Sequence, residues 1–394
     1  MEALSKASQA GAALRRPLVS IGLVLTLALL VILGADAGAK VWLGERAEPT
    51  LKRPPNVVDL PQKVAALPNP KPGAQFLLIG NSHTYALPGR HAGEPLRPDF
   101  GGTLLDELAA RLSPPDQQSG PTFYRLAHPN LLPFEALSRV TQMLLRGYRP
   151  GVVVWGITFR NLARDSALRD DIHALYKDEG FYRGLSEVLS ESGVAAPPAV
   201  SAAVRAERRR ALFEVESELE VSDADRWDEH LTKQLSTRLT LLGRSAELRA
   251  RLLRRAAQGL GARVGERRDV AFSYDVLEAD LALNLAMTRT LAHLLRSRGA
   301  HVIAYFAPER SDATPLVDPA RRARVVPELS LELEALGITV LDARDVVPNE
   351  FWGWDGDNPD RSHFTEPGHR LLATFIVQSG ERTHSWAPLG LAPR

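Results

Sequence analysis

The chain has no cysteine. Disulfides, thiolate zinc sites and cysteine nucleophiles are therefore excluded, and the lack suits an oxidising compartment without requiring one. It also has almost no net charge: 48 Lys and Arg stand against 47 Asp and Glu, giving +1. Bulk electrostatics then offers no case for a nucleic-acid partner. No G-x-x-x-x-G-K-[ST] or G-x-G-x-x-G sequence opens a helix, so a nucleotide cofactor has no support. Metal-ligand spacing is also missing. His83 and His128 are isolated, and His363 and His369 are not spaced for one helix face. The expectation is no cofactor, no metal and no nucleic acid. Long hydrophobic runs are lacking too, with one exception, and no internal repeat is evident.

That exception is residues 17–34, an uncharged apolar run close to the minimum for crossing a hydrocarbon core about 30 Å thick. Lys6, Arg15 and Arg16 precede it, which leaves residues 1–16 in the cytoplasm and the rest outside. The run reads as a single transmembrane anchor. A cleaved signal peptide is the competing reading, with Ala35-Asp36-Ala37 or Ala37-Gly38-Ala39 as the small-residue cleavage site. Both readings export the remaining chain, so the expected location is the cell membrane, with the domain on the extracytoplasmic (periplasmic) side. Residues 35–75 are proline-rich and aperiodic and read as a linker.

The remaining chain is of ordinary globular composition, 44% hydrophobic and 24% charged. Short apolar strands at 76–80, 122–127 and 151–156 alternate with helical patterns at 101–113 and 134–145. Gly151-Val152-Val153-Val154-Trp155-Gly156 is apolar throughout, as a parallel strand covered on both faces should be. The alternation stops from about 160 to 275. There, Leu231, Leu235, Leu239 and Leu242 form one helical stripe and Leu248, Leu252 and Leu253 another, with arginines crowding the remaining face. This reads as a helical insertion with a solvated basic face, with a lid or a surface facing anionic membrane lipid as the other reading. The pattern resumes with a helix at 281–298, a strand at 301–307, a helix at 320–336 and a strand at 337–342. Residues 348–365 read as a polar loop, 366–378 as a closing helix, and 381–394 as a loose tail. The expected fold class is α/β: a three-layer α/β/α domain over 76–380 with a parallel, doubly wound, flavodoxin-like sheet.

Two short blocks carry the chemistry. Ser82 follows the first strand, where open α/β sheets place their sites. A serine hydroxyl is a weak nucleophile and needs an imidazole to take its proton. The imidazole in turn needs an acceptor that fixes its tautomer. Asp360 and His363, three apart near the chain's end, supply both types, with Asp355 and Asp357 close enough to substitute for Asp360. His369 falls inside the closing helix and reads as structural. His83 adjoins the serine and points away from it, toward the substrate side. Trp352 and Trp354 precede the Asp-His pair and suit either stacking on sugar faces in an acceptor groove or anchoring the loop in the core.

The serine block Gly80-Asn81-Ser82-His83, with Asp360-Arg361-Ser362-His363 near the far end, resembles the SGNH (GDSL-type) hydrolase family over roughly residues 74–380. That resemblance implies a Ser82–His363–Asp360 triad and an oxyanion hole made by the Ser82 amide and two further donors. The second block resembles Leu126-Ala127-His128-Pro129-Asn130, with Asn130 where the family has glycine. The third resembles Gly156-Ile157-Thr158-Phe159, with Thr158 where the family has asparagine and Asn161 three residues on. Gly-Asn-Ser in place of Gly-Asp-Ser resembles the membrane-anchored branch that modifies envelope polymers. The implied function is serine-dependent hydrolysis or O-acyl transfer on an acylated cell-envelope glycan, with a membrane-bound O-acyltransferase as partner. A secreted esterase and an inactive SGNH-like glycan-binding or scaffold protein are the alternatives.

Overall fold

The computed structural model describes residues 56–60, 67–84, 103–113, 120–127, 131–163, 170–191, 197–218, 276–355 and 358–390. The chain divides into two units, Met1–Glu48 with Glu218–Asp269, and Pro49–Ser217 with Val270–Arg394. All the described residues except Glu218 fall in the second unit, which is the one considered below.

Six strands form its sheet: β1 (Val57–Asp59), β2 (Gln75–Gly80), β3 (Thr122–Ala127), β4 (Val152–Ile157), β5 (His301–Phe306) and β6 (Thr339–Asp342). They lie in the order β1-β3-β2-β4-β5-β6, and every neighbouring pair is parallel. The winding reverses between β2 and β4, where Ile79 stands opposite Trp155. Such a reversal opens a crevice outside the carboxyl ends of the strands. Ser82 and Thr158 follow directly on those two ends.

Side chains alternate across a strand, so each strand feeds two cores. Leu77, Ile79, Val153 and Trp155 join one cluster with Leu137 and Val140 of α2 (Pro133–Leu145) and Leu291 and Leu294 of α7 (Glu278–Ser297). Phe76, Leu78, Val152 and Val154 join the other, with Leu104 and Leu108 of α1 (Leu104–Leu112) and Leu372 and Ile376 of α9 (Glu366–Arg382). Helices therefore cover both faces, and the apolar runs of β2 and β4 are buried on each. α8 (Pro319–Ala335) packs with the first cluster through Leu329 and Leu333. The Asp318 side chain caps it by accepting from the Ala320 amide at 3.0 Å.

Between β4 and α7 the described residues are helical: α3 (Phe159–Leu162), α4 (Asp170–His173), α5 (Glu179–Glu191) and α6 (Pro198–Glu218). The leucine stripes at 231–253 lie outside the described residues, as does the apolar run 17–34. Among the described residues no helix is long and apolar enough to cross a membrane.

Four segments differ from the sequence expectation. Val57–Asp59, inside the expected linker, forms edge strand β1 against β3. Asp59 there pairs with the buried Arg125 at 2.7 Å. The expected polar loop at 348–365 is an antiparallel hairpin of β7 (Trp352–Asp355) and β8 (Asn358–Phe364). The expected loose tail packs onto the domain through residue 390: Trp386 is buried against Phe76, and its Nε1 donates to the Val377 carbonyl at 3.0 Å. The last strand starts at Thr339 rather than 337, because Gly337 adopts φ +73 and closes α8 with a bond to the Glu334 carbonyl.

Candidate active site

The serine turn is built on Gly80. After β2 the chain folds into one tight turn, Ser82–Thr84, in which the Thr84 amide and hydroxyl both donate to the Asn81 carbonyl at 3.0 and 2.8 Å. A Cβ on residue 80 would lie 2.3 Å from Thr84 Cγ2, so only glycine admits this fold-back. Asn81 then locks the turn to the neighbouring strand end. Its Nδ2 donates to Thr158 Oγ1 at 2.8 Å, and its Oδ1 accepts from the His83 amide at 3.0 Å.

The second half lies on β8. Asp360 Oδ1 accepts from the Ser362 and His363 amides at 2.7 and 3.1 Å. Its Oδ2 faces His363 Nδ1 at 2.8 Å. The amides can only donate, which fixes the carboxylate in place and makes Nδ1 the protonated ring nitrogen. In the neutral imidazole, Nε2 is then the basic atom. Burial alone would raise the Asp360 carboxyl. The His363 hydrogen bond, the nearby His363 charge and the two amide bonds outweigh it, so the carboxyl sits below its usual range. β8 packs against the serine turn. Among the described residues, neither Ser82 Oγ nor His363 Nε2 has a hydrogen-bond partner. Apo sites commonly show such open contacts before substrate arrives.

The other expected site residues divide. Thr158 reaches the site, and its hydroxyl hydrogen remains available because its oxygen accepts from Asn81. His83 reaches it too, lining a cavity of about 320 Å³ together with Thr158, Arg160 and Arg310. Asn161 Nδ2 gives one of its two hydrogens to the Leu131 carbonyl at 2.7 Å, and the residue is not part of that cavity's lining. Nor is Trp352 a groove residue. It is 1% exposed, its Nε1 donates to the Val347 carbonyl, and its ring meets Phe364 edge-on at 5.3 Å. It anchors the hairpin from beneath. His369 is fully buried against Phe364, as a structural residue should be. Asn130 and Asp357 lie outside the described residues, as do the side chains of Trp354 and Asp355.

Two site residues escaped the sequence reading. Arg310 sits just past β5, with its side chain 2% exposed. It holds Asp312 at 2.6 Å and donates through Nη1 to the carbonyls of Gly353 at 2.8 Å and Asp360 at 3.4 Å. Arg160, at the start of α3, donates to Ser362 Oγ at 2.8 Å. Both follow strand carboxyl ends, the same signal that singled out Ser82.

His83 makes stability pH-dependent in a stated direction. Burial, then the charges of Arg160, His363 and His369, hold its imidazole well below the ordinary 6.5. Below pH 6.5 the unfolded chain therefore binds a proton that the native protein refuses, and stability falls as pH drops through that value. We expect the urea midpoint to fall between pH 8 and pH 5.5 by more in the wild type than in His83→Gln, with urea titrations at both pH values as the check. Equal shifts in the two proteins would contradict it.

No family model matches the chain, and no curated protein matches it. Among solved structures, one similar chain is provisionally designated an acylhydrolase, from Bacteroides fragilis. It is 10% identical with a TM-score of 0.34, over 81% of this chain and 93% of that one. Another is an active-site mutant of a family two carbohydrate esterase from Clostridium thermocellum. It is 12% identical with a TM-score of 0.35, over 80% of this chain and 66% of that one, just under two thirds of its length. At these values the likenesses fix neither family nor activity.

Proposed function

We propose that the protein is a serine-dependent acyl-ester enzyme of SGNH type, in which Ser82 is the nucleophile, His363 the general base and Asp360 its orienting acid. The observation that carries the reading is the 2.8 Å bond from His363 Nδ1 to Asp360 Oδ2 on a strand packed against the serine turn. In this reading Ser82 Oγ attacks the ester carbonyl while His363 Nε2 takes its proton. The Ser82 amide and the Thr158 hydroxyl donate to the oxyanion. His363 returns the proton to the departing alcohol, and water or a glycan hydroxyl then takes the acyl group from Ser82. The substrate would be an O-acylated envelope glycan, reached from a membrane anchor at 17–34 on the extracytoplasmic side. A membrane-bound O-acyltransferase would supply acyl groups if transfer is the outcome.

A binding or scaffold role is the second reading. It is favoured by the open Ser82–His363 contact, in which His363 is bonded only through Nδ1 to Asp360. Labelling with a fluorophosphonate separates the two. We expect covalent labelling of the wild type, no labelling of Ser82→Ala and sharply slowed labelling of His363→Ala. A wild type that resists the reagent while folded would leave the binding role standing.

A further inference from the structure

A second imidazole stands beside Ser82, and its tautomer is fixed by the backbone. The His83 amide donates to Asn81 Oδ1 at 3.0 Å. An amide cannot accept, so the Asn81 atom facing it is the oxygen and not the nitrogen. The same oxygen lies 2.7 Å from His83 Nδ1, which must therefore carry a hydrogen. Asn81 is held in that orientation from its other end by the Nδ2 bond to Thr158 Oγ1. Nε2 is left as a bare acceptor, on a ring only 6% exposed that lines the cavity of about 320 Å³. Burial and the nearby Arg160 charge keep the imidazole neutral, so the acceptor persists at ordinary pH.

The wall around this acceptor is rich in donors. Arg160 and Arg310 contribute guanidinium groups, which have no acceptor atoms, with Arg310 held by Asp312 and the Gly353 and Asp360 carbonyls; Thr314 adds a hydroxyl, and the Ser311 hydroxyl is shared with Asn349. The two carboxylates of the wall, Glu309 and Asp345, lie by Arg322. Glu309 is ion-paired to it, and Asp345 acts on its charge. Thr158 lies on the same wall, so the cavity adjoins the Ser82 turn through the Asn81 bridge. A volume of this size is at the lower end of small-ligand sites and suits about one sugar ring.

We propose that this cavity is the subsite for the alcohol portion of the ester, that its occupant is a carbohydrate, and that His83 Nε2 accepts a hydrogen bond from one of its hydroxyls. His83 is then a specificity-determining residue. The identity of the bound molecule as an ester rests on the Ser82 reading above, whereas the recognition of a hydroxyl by Nε2 does not.

The test measures binding, using the full chain with Ser82→Ala so that no turnover intervenes. The probe is a mono-O-acetylated methyl glucoside, followed by ligand-detected NMR, with cyclohexyl acetate as a ligand of similar size that has no hydroxyl. His83→Asn keeps a donor for Asn81 Oδ1 and removes Nε2. His83→Gln places an acceptor near the Nε2 position. We expect His83→Asn to weaken the glucoside about tenfold, the size of one lost hydrogen bond, and to leave cyclohexyl acetate within about twofold. His83→Gln regains most of the loss. No binding of the glucoside by the parent, equal weakening of both ligands, or no change in either would overturn the proposal. Fluorophosphonate labelling of the wild type, with Ser82 intact, is the separate check on the Ser82 reading. Loss of labelling in the wild type would instead strike the Ser82 reading and leave the binding result to stand by itself.

Discussion

Ser82→Ala and His363→Ala are each expected to lower turnover of an acyl ester by about 10⁵-fold or more, and by similar factors, because nucleophile and base act as one unit. Asp360→Asn is expected to lose less, about 10⁴-fold. The structure supplies the reason for that loss. Asp360 Oδ1 is held by two amides that can only donate, at 2.7 and 3.1 Å. In the Asn variant the side-chain oxygen must stay with those amides, and the new NH₂ must face His363 Nδ1. Two donors would then oppose each other across a gap that is 2.8 Å in the native pair. The imidazole relieves this by moving its proton to Nε2, the atom that should receive the serine proton. The base is then in the wrong tautomer but still present, which accounts for the residual rate. Turnover numbers for the three variants, together with their melting temperatures, check the order. A His363→Ala protein that is as stable as the wild type and retains turnover within tenfold would remove His363 from the chemistry.

The parts of this molecule that were legible from sequence are those set by short-range pattern. The runs at 76–80 and 151–156 are apolar at every position, and they emerge as β2 and β4 with ends moved by a residue at most, while 122–127 emerges unmoved as β3 although it carries the buried Arg125. Burial on both sheet faces favours apolar side chains along β2 and β4. Asp360 and His363 were legible as a pair because the bond joining them spans only three residues. What failed depended on partners far away in the chain. β1 is three residues long and is defined only by its pairing with β3. The β7–β8 hairpin has an irregular register between Trp352 and Trp354, which erases the alternation that marks a strand. The residue type of Trp352 suits a groove and a buried anchor alike, and only its contacts with Phe364 and Val347 decide for the anchor. Asn161 has the right residue type near the right position, and the Leu131 carbonyl thirty residues earlier takes one of its two amide hydrogens, a partner that no local pattern announces. The Asn81–Thr158 bridge joins residues 77 apart, and no local pattern announces it.

Arg310 has the same long-range character, and its removal carries the second large effect. We expect Arg310→Ala to lower kcat about 10²-fold with little change in KM, and to cost about 2–3 kcal/mol of stability. The stability figure does not come mainly from the ion pair. Asp312 is 44% exposed, so solvent screens its attraction to the guanidinium and limits its worth. The larger part comes from the Nη1 bonds to the carbonyls of Gly353 on β7 and Asp360 on β8. Those oxygens lose a buried donor in the variant, and each buried acceptor left unmade costs about 1–3 kcal/mol. The kinetic figure follows from the same contacts. Arg310 ties the backbone of the residue that orients His363 to the end of β5, a rigid central strand. Without that tie the hairpin can drift, and an error of about 1 Å between base and nucleophile is worth about 10²-fold in rate. Arg310→Lys should not rescue the loss, because an ammonium is a single point of charge and lacks the planar fork that serves Asp312 and the two carbonyls together. Asp312→Asn should stay near wild type in kcat. The measurements are kcat and KM on one ester, and urea midpoints, for the three variants. If Arg310→Ala loses stability while kcat stays within about twofold of wild type, Arg310 merely props up the hairpin. If Arg310→Lys is fully active, the fork geometry is irrelevant and a nearby positive charge is enough.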